Sequence, residues 1–394
     1  MGTPRDFRRP FESLVKILSV NMSLDPVGGG GTAERTFQVS RALVRAGAEC
    51  TVLTTDIGID HTRQQALSGV EVVALPCLVK RFYIPAVSSR RILSIAASCD
   101  VIELVNHWTF LNVLVYRAAK RLKKPYIVCP AGALPIFGRS RLLKSLYNRA
   151  VGKEIIRKAD GCVAISITEI PQFQEYGLTA DKITLIPNGV DSEDYRRNIA
   201  ANDRRQFGPQ NSPFILFMGR LNSIKGPDLL LEAFLRCQDR FPDFHLVFAG
   251  PDDGMLSKLK ATAGASDASN RIHFPGYLGR ESKLSIYQAA DLLVIPSRQE
   301  AMSLVVLEAG MVGTPVLLTD QCGFSEVSTV GGGQVVSATV DGICSGLIKM
   351  LSDPAELEKM GANLGKYIES HYTWDIMIRK YLDLYNRILS EPYK

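Results

Sequence analysis

Short apolar segments alternate with helical patterns twice along the chain, and this alternation is the strongest constraint on the fold. In the first half, most candidate strands are apolar runs bounded by Gly, Pro or Asp, as expected for strands buried on both faces. These strands are Val15–Asn21, Glu49–Thr55, Val70–Pro76, Cys99–Asn106, Pro125–Pro130, Gly161–Ser166 and Lys182–Asn188. The helical patterns between them cover Thr32–Gly47, Phe110–Lys124 and Ser140–Ala159. This order predicts right-handed crossovers and a parallel sheet with helices on both sides.

A second series of the same kind follows Arg196–Pro213, a polar segment with the composition of a linker. Its predicted strands are Phe214–Arg220, His245–Gly250, Ile272–Gly276, Leu292–Ser297 and Pro315–Asp320. Its predicted helices are Pro227–Arg240, Arg280–Ala289, Ser303–Val312 and a helical tail from Pro354. We therefore expect two doubly wound α/β domains, residues 1–190 and 191–373. Their sheets should face a cleft with their carboxyl ends, where ligands bind.

Composition and charge narrow the class of protein. The chain has 394 residues, of which 46% are apolar and 22% charged, which excludes a disordered chain. It has no run of 18 apolar residues, and its eight cysteines form no C-x-x-C pair. We therefore expect no helix that spans a bilayer, no secretory signal, and reduced thiols in a cytosolic protein. Residues 1–190 carry 25 Lys and Arg against 15 Asp and Glu, whereas residues 191–394 carry 21 against 25. The basic first half favours an anionic surface or an anionic substrate.

A glycine stretch follows the first predicted strand and opens a helix. It reads Val27-Gly28-Gly29-Gly30-Gly31-Thr32, with Thr32 as the candidate N-cap. Glycines let the backbone approach a ligand closely, and the helix start offers free N–H groups to an anion. A flexible turn would need fewer glycines, so we interpret the stretch as a ligand contact. It lacks the G-x-G-x-x-G spacing of a dinucleotide site.

Two cations lie in the loop after the first strand of the second half. The loop is Gly219–Gly226 and contains Arg220 and Lys225. A guanidinium fork and an ammonium suit a diphosphate, although an exposed polar loop is the alternative.

Two glutamates, Glu300 and Glu308, flank the start of a predicted helix in the segment Pro296–Glu308. Glu300 falls in the loop and Glu308 about 1.5 turns inside the helix. Two carboxylates would repel a diphosphate unless they accept hydrogen bonds from hydroxyls, which a sugar nucleotide carries at both ends. Glu308 stands in an apolar helix, where an unpaired carboxylate would be costly.

The segments GRLNSIKG, PSRQEAMSLVVLEAGMVGTPV and IPNGVD resemble those of family-4 retaining glycosyltransferases of the GT-B fold, of the bacterial polysaccharide and lipopolysaccharide type. The resemblance covers about residues 14–390 and implies two Rossmann-like domains. In relatives the last helix, here Ile376–Leu389, crosses back onto the first domain, which would then include residues 374–394. The family transfers sugar with retention and usually without an obligatory metal.

The resemblance also implies roles for individual residues. Arg220 and Lys225 would hold the donor diphosphate, Glu300 would contact the transferred sugar, and Glu308 would bind the ribose hydroxyls. The base would lie near Gly276-Tyr277-Leu278. The predicted catalytic residues are Glu300, Arg220, Lys225 and His107, and the predicted donor-binding residues are Gly29, Gly30, Gly31, Gly219, Tyr277, Leu278, Met302, Ser303, Leu304, Val305 and Glu308.

Two departures from the family pattern concern the transferred sugar. Relatives often carry a His after the fifth strand, at the position that corresponds to Ala131 here. His107, at the end of the fourth predicted strand, is the nearest substitute, and packing in the core is its other interpretation. Relatives often have Glu-Gly/Ser-Phe-Gly where this chain has Glu300-Ala301-Met302-Ser303, so the larger Met302 leaves the sugar open.

Cations mix with apolar side chains in two segments of the first half. The first segment is Lys80–Pro85 together with Arg90 and Arg91, and the second is 138–158, a basic amphipathic helical pattern. Such a helix either packs its apolar face on the core or docks on an anionic membrane, where each cation contributes about 1 kcal/mol. Nucleic-acid binding is not expected, because aromatic residues do not recur through the basic patches.

These features favour a retaining hexosyltransferase that moves a sugar from a nucleotide-sugar to a hydroxyl of a glycan or lipid-linked acceptor. We expect it to work in cell-surface polysaccharide synthesis, in the cytoplasm or on the inner face of the membrane, with no cofactor and no metal. The alternative enzyme is a sugar-nucleotide 2-epimerase of the same fold. The non-catalytic alternative is an impaired nucleotide-sugar-binding protein.

Overall fold

The computed structural model of the protein describes residues 15–59, 61–136, 140–195 and 212–390. Apart from its last two residues, the predicted linker Arg196–Pro213 lies outside the described residues, as does the first part of the predicted basic helix, Gly138 and Arg139.

The chain divides into two units, each of which contains separate segments of the sequence. The first unit comprises residues 1–163, 173–184 and 378–394, and the second comprises 164–172 and 185–377. Residues 164–172 and 185–190 therefore group with the second unit, although they precede the expected boundary after residue 190.

A seven-stranded sheet, in the order β3-β2-β1-β6-β7-β8-β9, forms the first half. The pairings from β3 to β8 are parallel. β4 and β5 form a separate antiparallel hairpin that the sequence did not predict. The strands are β1 Lys16–Val20, β2 Glu49–Thr55, β3 Glu71–Leu75, β4 Cys77–Val79, β5 Ile84–Pro85, β6 Val101–Val105, β7 Tyr126–Cys129, β8 Gly161–Ala164 and β9 Ile183–Leu185.

A six-stranded parallel sheet, in the order β12-β11-β10-β13-β14-β15, forms the second half. Its strands are β10 Phe214–Met218, β11 His245–Ala249, β12 Ile272–Gly276, β13 Leu292–Ile295, β14 Val316–Thr319 and β15 Gly333–Val336. The two sheets confirm the predicted fold class, two Rossmann-like α/β domains with parallel sheets flanked by helices.

Helices connect the strands of both sheets. They are α1 Gly30–Arg45, α2 His61–Gln65, α3 Ser89–Ala97, α4 Phe110–Leu122, α5 Arg141–Tyr147, α6 Lys153–Arg157, α7 Glu169–Glu175, α8 Ser192–Tyr195, α9 Pro227–Cys237, α10 Leu256–Gly264, α11 Arg280–Ala289, α12 Leu304–Met311, α13 Glu326–Thr329, α14 Val340–Leu351, α15 Pro354–His371 and α16 Trp374–Ser390. Local chemistry sets several starts: the Asp353 carboxylate accepts hydrogen bonds from the N–H groups of Ala355 and Glu356, and Pro354 begins α15. In the described part of the chain, no helix is both long and apolar enough to cross a bilayer.

The predicted helix Ser140–Ala159 is confirmed as helical backbone from Arg141 to Arg157, but it is not an α-helix throughout. α5 and α6 are separated by a π-helical turn, Asn148–Gly152. A Cβ at Gly152 would lie 2.5 Å from Asn148 Oδ1 and 2.7 Å from the Tyr147 ring, so the tight turn depends on this glycine. Single π-helical turns occur frequently at functional sites.

Strand order determines which loops meet at the carboxyl edge of each sheet. The order reverses between β1 and β6 in the first sheet and between β10 and β13 in the second. Ligands of doubly wound sheets bind at this switch point. In the first sheet, the glycine stretch and His107 follow these strands; in the second, the loop Gly219–Gly226 and Glu300 follow them.

A buried chain of polar groups ties α16 to the first sheet. Arg35 of α1 donates a hydrogen bond to the Tyr381 hydroxyl (2.9 Å), which donates to Oε1 of Glu103 on β6 (3.0 Å). Arg35 and Glu103 are each only 2% exposed. Burial raises the pKa of Glu103, and the charge of Arg35 opposes that rise. The cation, the phenol and the carboxyl group therefore depend on one another for their hydrogen bonds.

Replacing Arg35 should destabilise the protein strongly. We expect Arg35→Met to cost about 3–5 kcal/mol of unfolding free energy, because it leaves Glu103 and Tyr381 without their buried cationic partner. Urea unfolding measures this, and Arg45→Met, at the exposed end of α1, is the control. Equal stability of the two variants would contradict a supporting role for the buried chain.

Candidate functional site

Two residues predicted from separate loops, Lys225 and Glu300, are paired in the second unit. Lys225 Nζ lies 2.8 Å from Oε1 of Glu300. Ser297 Oγ donates a hydrogen bond to Oε2 of Glu300 (3.0 Å). The side chains of Lys225 and Glu300 are 26% and 12% exposed, so the pair is partly buried yet open to solvent. The structure thus brings a cation and a carboxylate together at the switch point of the second sheet.

Backbone geometry holds the Lys225 loop against the end of β13. Gly226 has φ +67°, and a Cβ there would lie 2.1 Å from the carbonyl oxygen of Pro296. Only glycine combines this left-handed conformation with so close an approach. The Arg298 N–H also donates to the Ile224 carbonyl (2.8 Å), so the two loops are joined through the backbone on both sides of the Lys225–Glu300 pair.

Arg298, which sequence reasoning did not assign, locks the same two loops through its side chain. Its guanidinium binds both carboxylate oxygens of Asp228 at 2.8 Å, and it donates to the Ser223 carbonyl at 2.7 Å. Burial raises the pKa of Asp228, but the hydrogen bonds and charge of Arg298 outweigh it and hold that pKa below its ordinary value. A bidentate Arg–carboxylate pair fixes the relative orientation of the two side chains better than a single hydrogen bond does.

Arg220 lies at the outer side of this loop. Its guanidinium is 3.6 Å from Oδ2 of Asp253, and its side chain is 44% exposed. The Asn222 side chain organises the loop. Its Nδ2 donates a hydrogen bond to Asp253 Oδ2 (2.8 Å), and its Oδ1 accepts one from the backbone N–H of Lys225 (3.0 Å). An exposed, loosely paired guanidinium can rotate toward an anionic ligand at little cost.

Glu308 is buried and is held by two residues that sequence reasoning missed, Lys283 and Tyr287. Lys283 Nζ contacts both carboxylate oxygens (2.7 Å and 2.6 Å), and the Tyr287 hydroxyl donates to Oε2 (2.7 Å). Burial raises the pKa of Tyr287 well above its ordinary value, and the Glu308 charge adds to that effect. The signal was the i, i+4 spacing of a Lys and a Tyr on the predicted helix Arg280–Ala289, which places both on one face.

The loop before α12 is anchored through Met302 rather than left open. The Asn188 N–H donates to the Met302 sulfur (3.3 Å), and the Asn188 side-chain amide donates to the Met302 carbonyl (3.2 Å). Met302 and Ser303 are buried, while Leu304 and Val305 are half-buried at the first turn of α12. The first N–H groups of a helix lack partners within it, so this turn offers donors to an anion.

The predicted base-binding residues lie at the carboxyl end of β12. The Gly276 carbonyl accepts from the Gly250 N–H (2.8 Å), Tyr277 is exposed and Leu278 is half-buried. The Gly219 N–H donates to the Ala249 carbonyl (3.0 Å), so the ends of β10, β11 and β12 form one continuous edge. Roles for Gly219, Tyr277 and Leu278 in donor binding stay predictions.

The glycines that open α1 differ in their surroundings: some are tightly packed and others are exposed to solvent. α1 begins at Gly30, with Gly29 as N-cap, so Thr32 as N-cap is wrong; its hydroxyl instead donates to the Gly29 carbonyl (3.1 Å). A Cβ on Gly29 would lie 2.5 Å from Ala33 Cβ, so this glycine is needed for the turn itself. Gly30 is half-buried and Gly31 exposed, and a ligand role for Gly29, Gly30 and Gly31 stays a prediction.

His107 is a core residue with a fixed tautomer. The Asn148 amide donates to the Tyr176 hydroxyl (2.7 Å) and presents Oδ1 to His107 Nε2 (2.8 Å), so Nε2 carries the hydrogen. The ring is 1% exposed, and burial lowers the pKa of His107 to about 4 against the opposing effect of Asn148. These contacts favour the packing interpretation; a catalytic role stays a prediction. Ala131, at the family's usual His position, adopts φ +50°.

The basic segment of the first unit exposes its leucines. Leu142, Leu143 and Leu146 of α5 are 82%, 56% and 62% exposed, whereas Ile155 and Ile156 of α6 are buried. Beside them is a cavity of about 650 Å³ whose lining includes Ile136, Arg149, Lys153, Arg157 and Lys158. Only the α6 half thus behaves as an ordinary amphipathic helix on the core. The α5 half leaves apolar and cationic side chains on the surface.

Two protein-family models match the chain, one in each half. The model of Glycosyltransferase Family 4 matches residues 29–194, and the model of glycosyl transferases group 1 matches residues 199–367. The protein is therefore a glycosyltransferase of the GT-B fold. The first half of the chain thus matches the family-4 model, and the second half matches the group 1 model.

Similar proteins span different shares of the chain. An uncharacterised glycosyltransferase of Methanocaldococcus jannaschii is 26% identical over 94% of this chain and 98% of its own length. The D-inositol 3-phosphate glycosyltransferase of Nocardia farcinica is 35% identical over 45% of this chain, which spans only 42% of that protein.

Solved structures agree in fold at low sequence identity. Anabaena HepE, solved in complex with UDP and glucose, is 19% identical with a TM-score of 0.77 and covers 95% of this chain and 100% of its own. WaaG, a glycosyltransferase involved in lipopolysaccharide biosynthesis, is 17% identical with a TM-score of 0.68, with coverage of 95% and 100%.

Adding one methyl group at Gly226 should disturb the Lys225–Glu300 pair. We expect Gly226→Ala to destabilise the protein by about 1–3 kcal/mol, since Ala resists the left-handed backbone and its Cβ meets the Pro296 carbonyl. Gly264→Ala, at a helical position with no atom within 4 Å of the added Cβ, is the matched control and should be neutral or stabilising. Thermal unfolding checks both; similar effects of the two changes would argue against the tight loop packing.

Proposed function

We propose that this glycosyltransferase is a retaining enzyme that moves a sugar from a nucleotide-sugar to a hydroxyl of a glycan or lipid-linked acceptor, without an obligatory metal. The observation that carries the proposal is the meeting of Lys225 and Glu300 at the switch point of the second sheet. The complexes of Anabaena HepE with UDP and with UDP-glucose support a nucleotide-sugar donor. The likeness to WaaG supports a role in cell-surface polysaccharide or lipopolysaccharide synthesis.

The chemistry asks the protein to stabilise a departing nucleoside diphosphate. The acceptor oxygen forms a bond to the anomeric carbon as the bond from that carbon to the diphosphate oxygen breaks, and the hydroxyl proton passes to the released phosphate. Negative charge grows on the leaving diphosphate, where Arg220, Lys225 and the first N–H groups of α12 supply positive charge. Attack from the face that the diphosphate leaves gives retention. Glu300, already paired with Lys225, supplies an acceptor for a sugar hydroxyl.

Removing either cation of the loop should nearly abolish transfer. We expect Lys225→Ala and Arg220→Ala each to lower kcat/KM by about a hundredfold or more, because leaving-group charge loses a stabilising partner. Release of nucleoside diphosphate from UDP-, GDP- and ADP-sugars in the presence of acceptor measures this. Lys258→Ala, at an exposed position of α10, is the control. Near-normal turnover in both loop variants would refute the assignment.

The epimerase and the non-catalytic alternatives make different predictions for the donor alone. A sugar-nucleotide 2-epimerase would convert the donor to its epimer without an acceptor, and a binding protein would release no nucleotide with any acceptor. The transferase releases nucleotide only as the sugar moves. Product analysis with donor alone and then with acceptor separates the three.

We also propose that the α5 surface docks on an anionic membrane, which would fit a lipid-linked acceptor. Three exposed leucines lie beside Arg141, Lys144, Arg149, Lys153 and Lys158. Leucines enter the interface between headgroups and acyl chains, while cations attract anionic lipid. Part of the cationic charge is neutralised, since Glu154 pairs with Lys158 at 2.5 Å.

Vesicle binding tests this surface. We expect the protein to sediment with phosphatidylglycerol vesicles less strongly as salt rises, and not with phosphatidylcholine vesicles. Serine at Leu142, Leu143 and Leu146 together should weaken binding about tenfold or more, because apolar burial is lost. Ile167→Ser, which changes another exposed apolar side chain in the second unit, should leave binding unchanged. Equal binding to neutral vesicles, or no binding, would remove the membrane proposal.

A further inference from the structure

One face of α11 is dedicated to the Glu308 carboxylate. Lys283 and Tyr287 are four residues apart and both reach Glu308 of α12. Glu308 is 7% exposed and Tyr287 is fully buried, so the hydrogen bond between them is shielded from water. The Lys225–Glu300 pair is a second Lys–carboxylate ion pair of similar exposure, but its carboxylate lies in a loop rather than in a helix. Each of the two predicted acidic site residues thus has its own lysine.

The acceptor sites of the carboxylate are unevenly occupied. Lys283 contacts both oxygens, and Tyr287 donates only to Oε2. A carboxylate oxygen has two lone-pair positions, so Oε2 is saturated and Oε1 keeps one position for a further donor. Among the described residues, the contacts therefore hold the carboxylate in one orientation and leave one acceptor position of Oε1 without a protein donor.

α11 is itself held at both ends. At its start, Arg280 forms an ion pair with Asp194 of α8. Near its end, the Thr314 hydroxyl donates to the Tyr287 carbonyl (2.6 Å). Thr314 belongs to the Gly-Thr-Pro segment before β14, so a buried side chain of that segment fixes the backbone of the residue that orients Glu308.

We propose that Lys283 is a positioning residue that, with Tyr287, holds the Glu308 carboxylate so that its Oε1 accepts a hydrogen bond from a ribose hydroxyl of the nucleoside diphosphate. This inference rests on the proposed function. Lys283 lowers the repulsion between Glu308 and the donor phosphates. It also fixes the carboxylate, so that a ligand with the ribose hydroxyl gains a hydrogen bond that a ligand without it cannot form. The Lys283–Glu308–Tyr287 cluster therefore sets the preference of the site for ribonucleotides over 2′-deoxyribonucleotides.

Paired nucleotides test the proposal on the full chain. Calorimetric dissociation constants are measured for UDP and dUDP, GDP and dGDP, and ADP and dADP. For the base that binds, the wild type should prefer the ribonucleotide by about tenfold or more, as expected for a hydrogen bond to a charged group. Lys283→Met should reduce that preference to within about twofold, mainly by weakening the ribonucleotide. Lys283→Arg, which keeps the charge, should restore most of it, and the exposed control Lys258→Met should keep it all.

A general loss of structure would weaken both members of each pair alike, so the ratio separates positioning from folding. If Lys283→Met fails to fold, the same ratio of ribonucleotide to 2′-deoxyribonucleotide affinity is measured for Tyr287→Phe and for the charge-neutral double variant Lys283→Met/Glu308→Gln. Both variants should also reduce that ratio. An unchanged ribose preference in the folded variants overturns the positioning role while leaving the proposed function intact. Failure of the wild type to bind any of the six nucleotides overturns the proposed function, and the inference with it.

Discussion

The reversal of strand order in each parallel sheet is the constraint on which the candidate site depends. Because β10 and β13 are neighbours although β11 and β12 lie between them in sequence, the loops that follow these two strands meet at one edge. Residues 75 positions apart, Lys225 and Glu300, come within hydrogen-bonding distance for this reason. The Gly226 backbone and the Arg298–Asp228 pair then keep the two loops in register. The strand order of the sheet thus brings together site residues that are far apart in the sequence.

Charge compensation is the second principle of the site. Two unpaired carboxylates would repel a diphosphate. In this structure each of the two carboxylates forms an ion pair with a lysine, which reduces that repulsion. The two pairs are similarly exposed, and they differ in their third partner: Glu300 also accepts from the Ser297 hydroxyl, whereas Glu308 accepts from Tyr287, which is fully buried. Removing one member of the Glu308 cluster would leave a buried group without its partner, which is costly.

The sequence was a good guide to elements and loops and a poor guide to contacts between helices. Strand runs such as Ile272–Gly276 were predicted to the residue because apolar segments between turn signals have few alternatives. β15 was missed because its Gly-Gln-Val-Val stretch is short and partly polar, and the hairpin β4–β5 because Pro and cations interrupt it. Glu308 was expected to need a partner, but the i, i+4 spacing of Lys283 and Tyr287 indicates only a shared helix face and does not pair that face with Glu308, which lies 25 residues from Lys283. The π-helical turn between α5 and α6 was not predicted, because Gly152 is compatible with either an α-helix or a π-helical turn.

The last helix shows that neither unit is a contiguous piece of the gene. Residues Trp374–Met377 of α16 belong to the second unit and residues from Ile378 onward to the first, where Tyr381 bridges Arg35 and Glu103. A fragment that ends in the linker would keep the buried arginine and glutamate and lose the phenol between them. Dissection or domain exchange in this protein therefore has to carry the carboxyl-terminal helix with the amino-terminal unit, by fusion or by circular permutation. Chimaeras joined at the predicted linker alone would inherit an amino-terminal unit that lacks Tyr381 between Arg35 and Glu103.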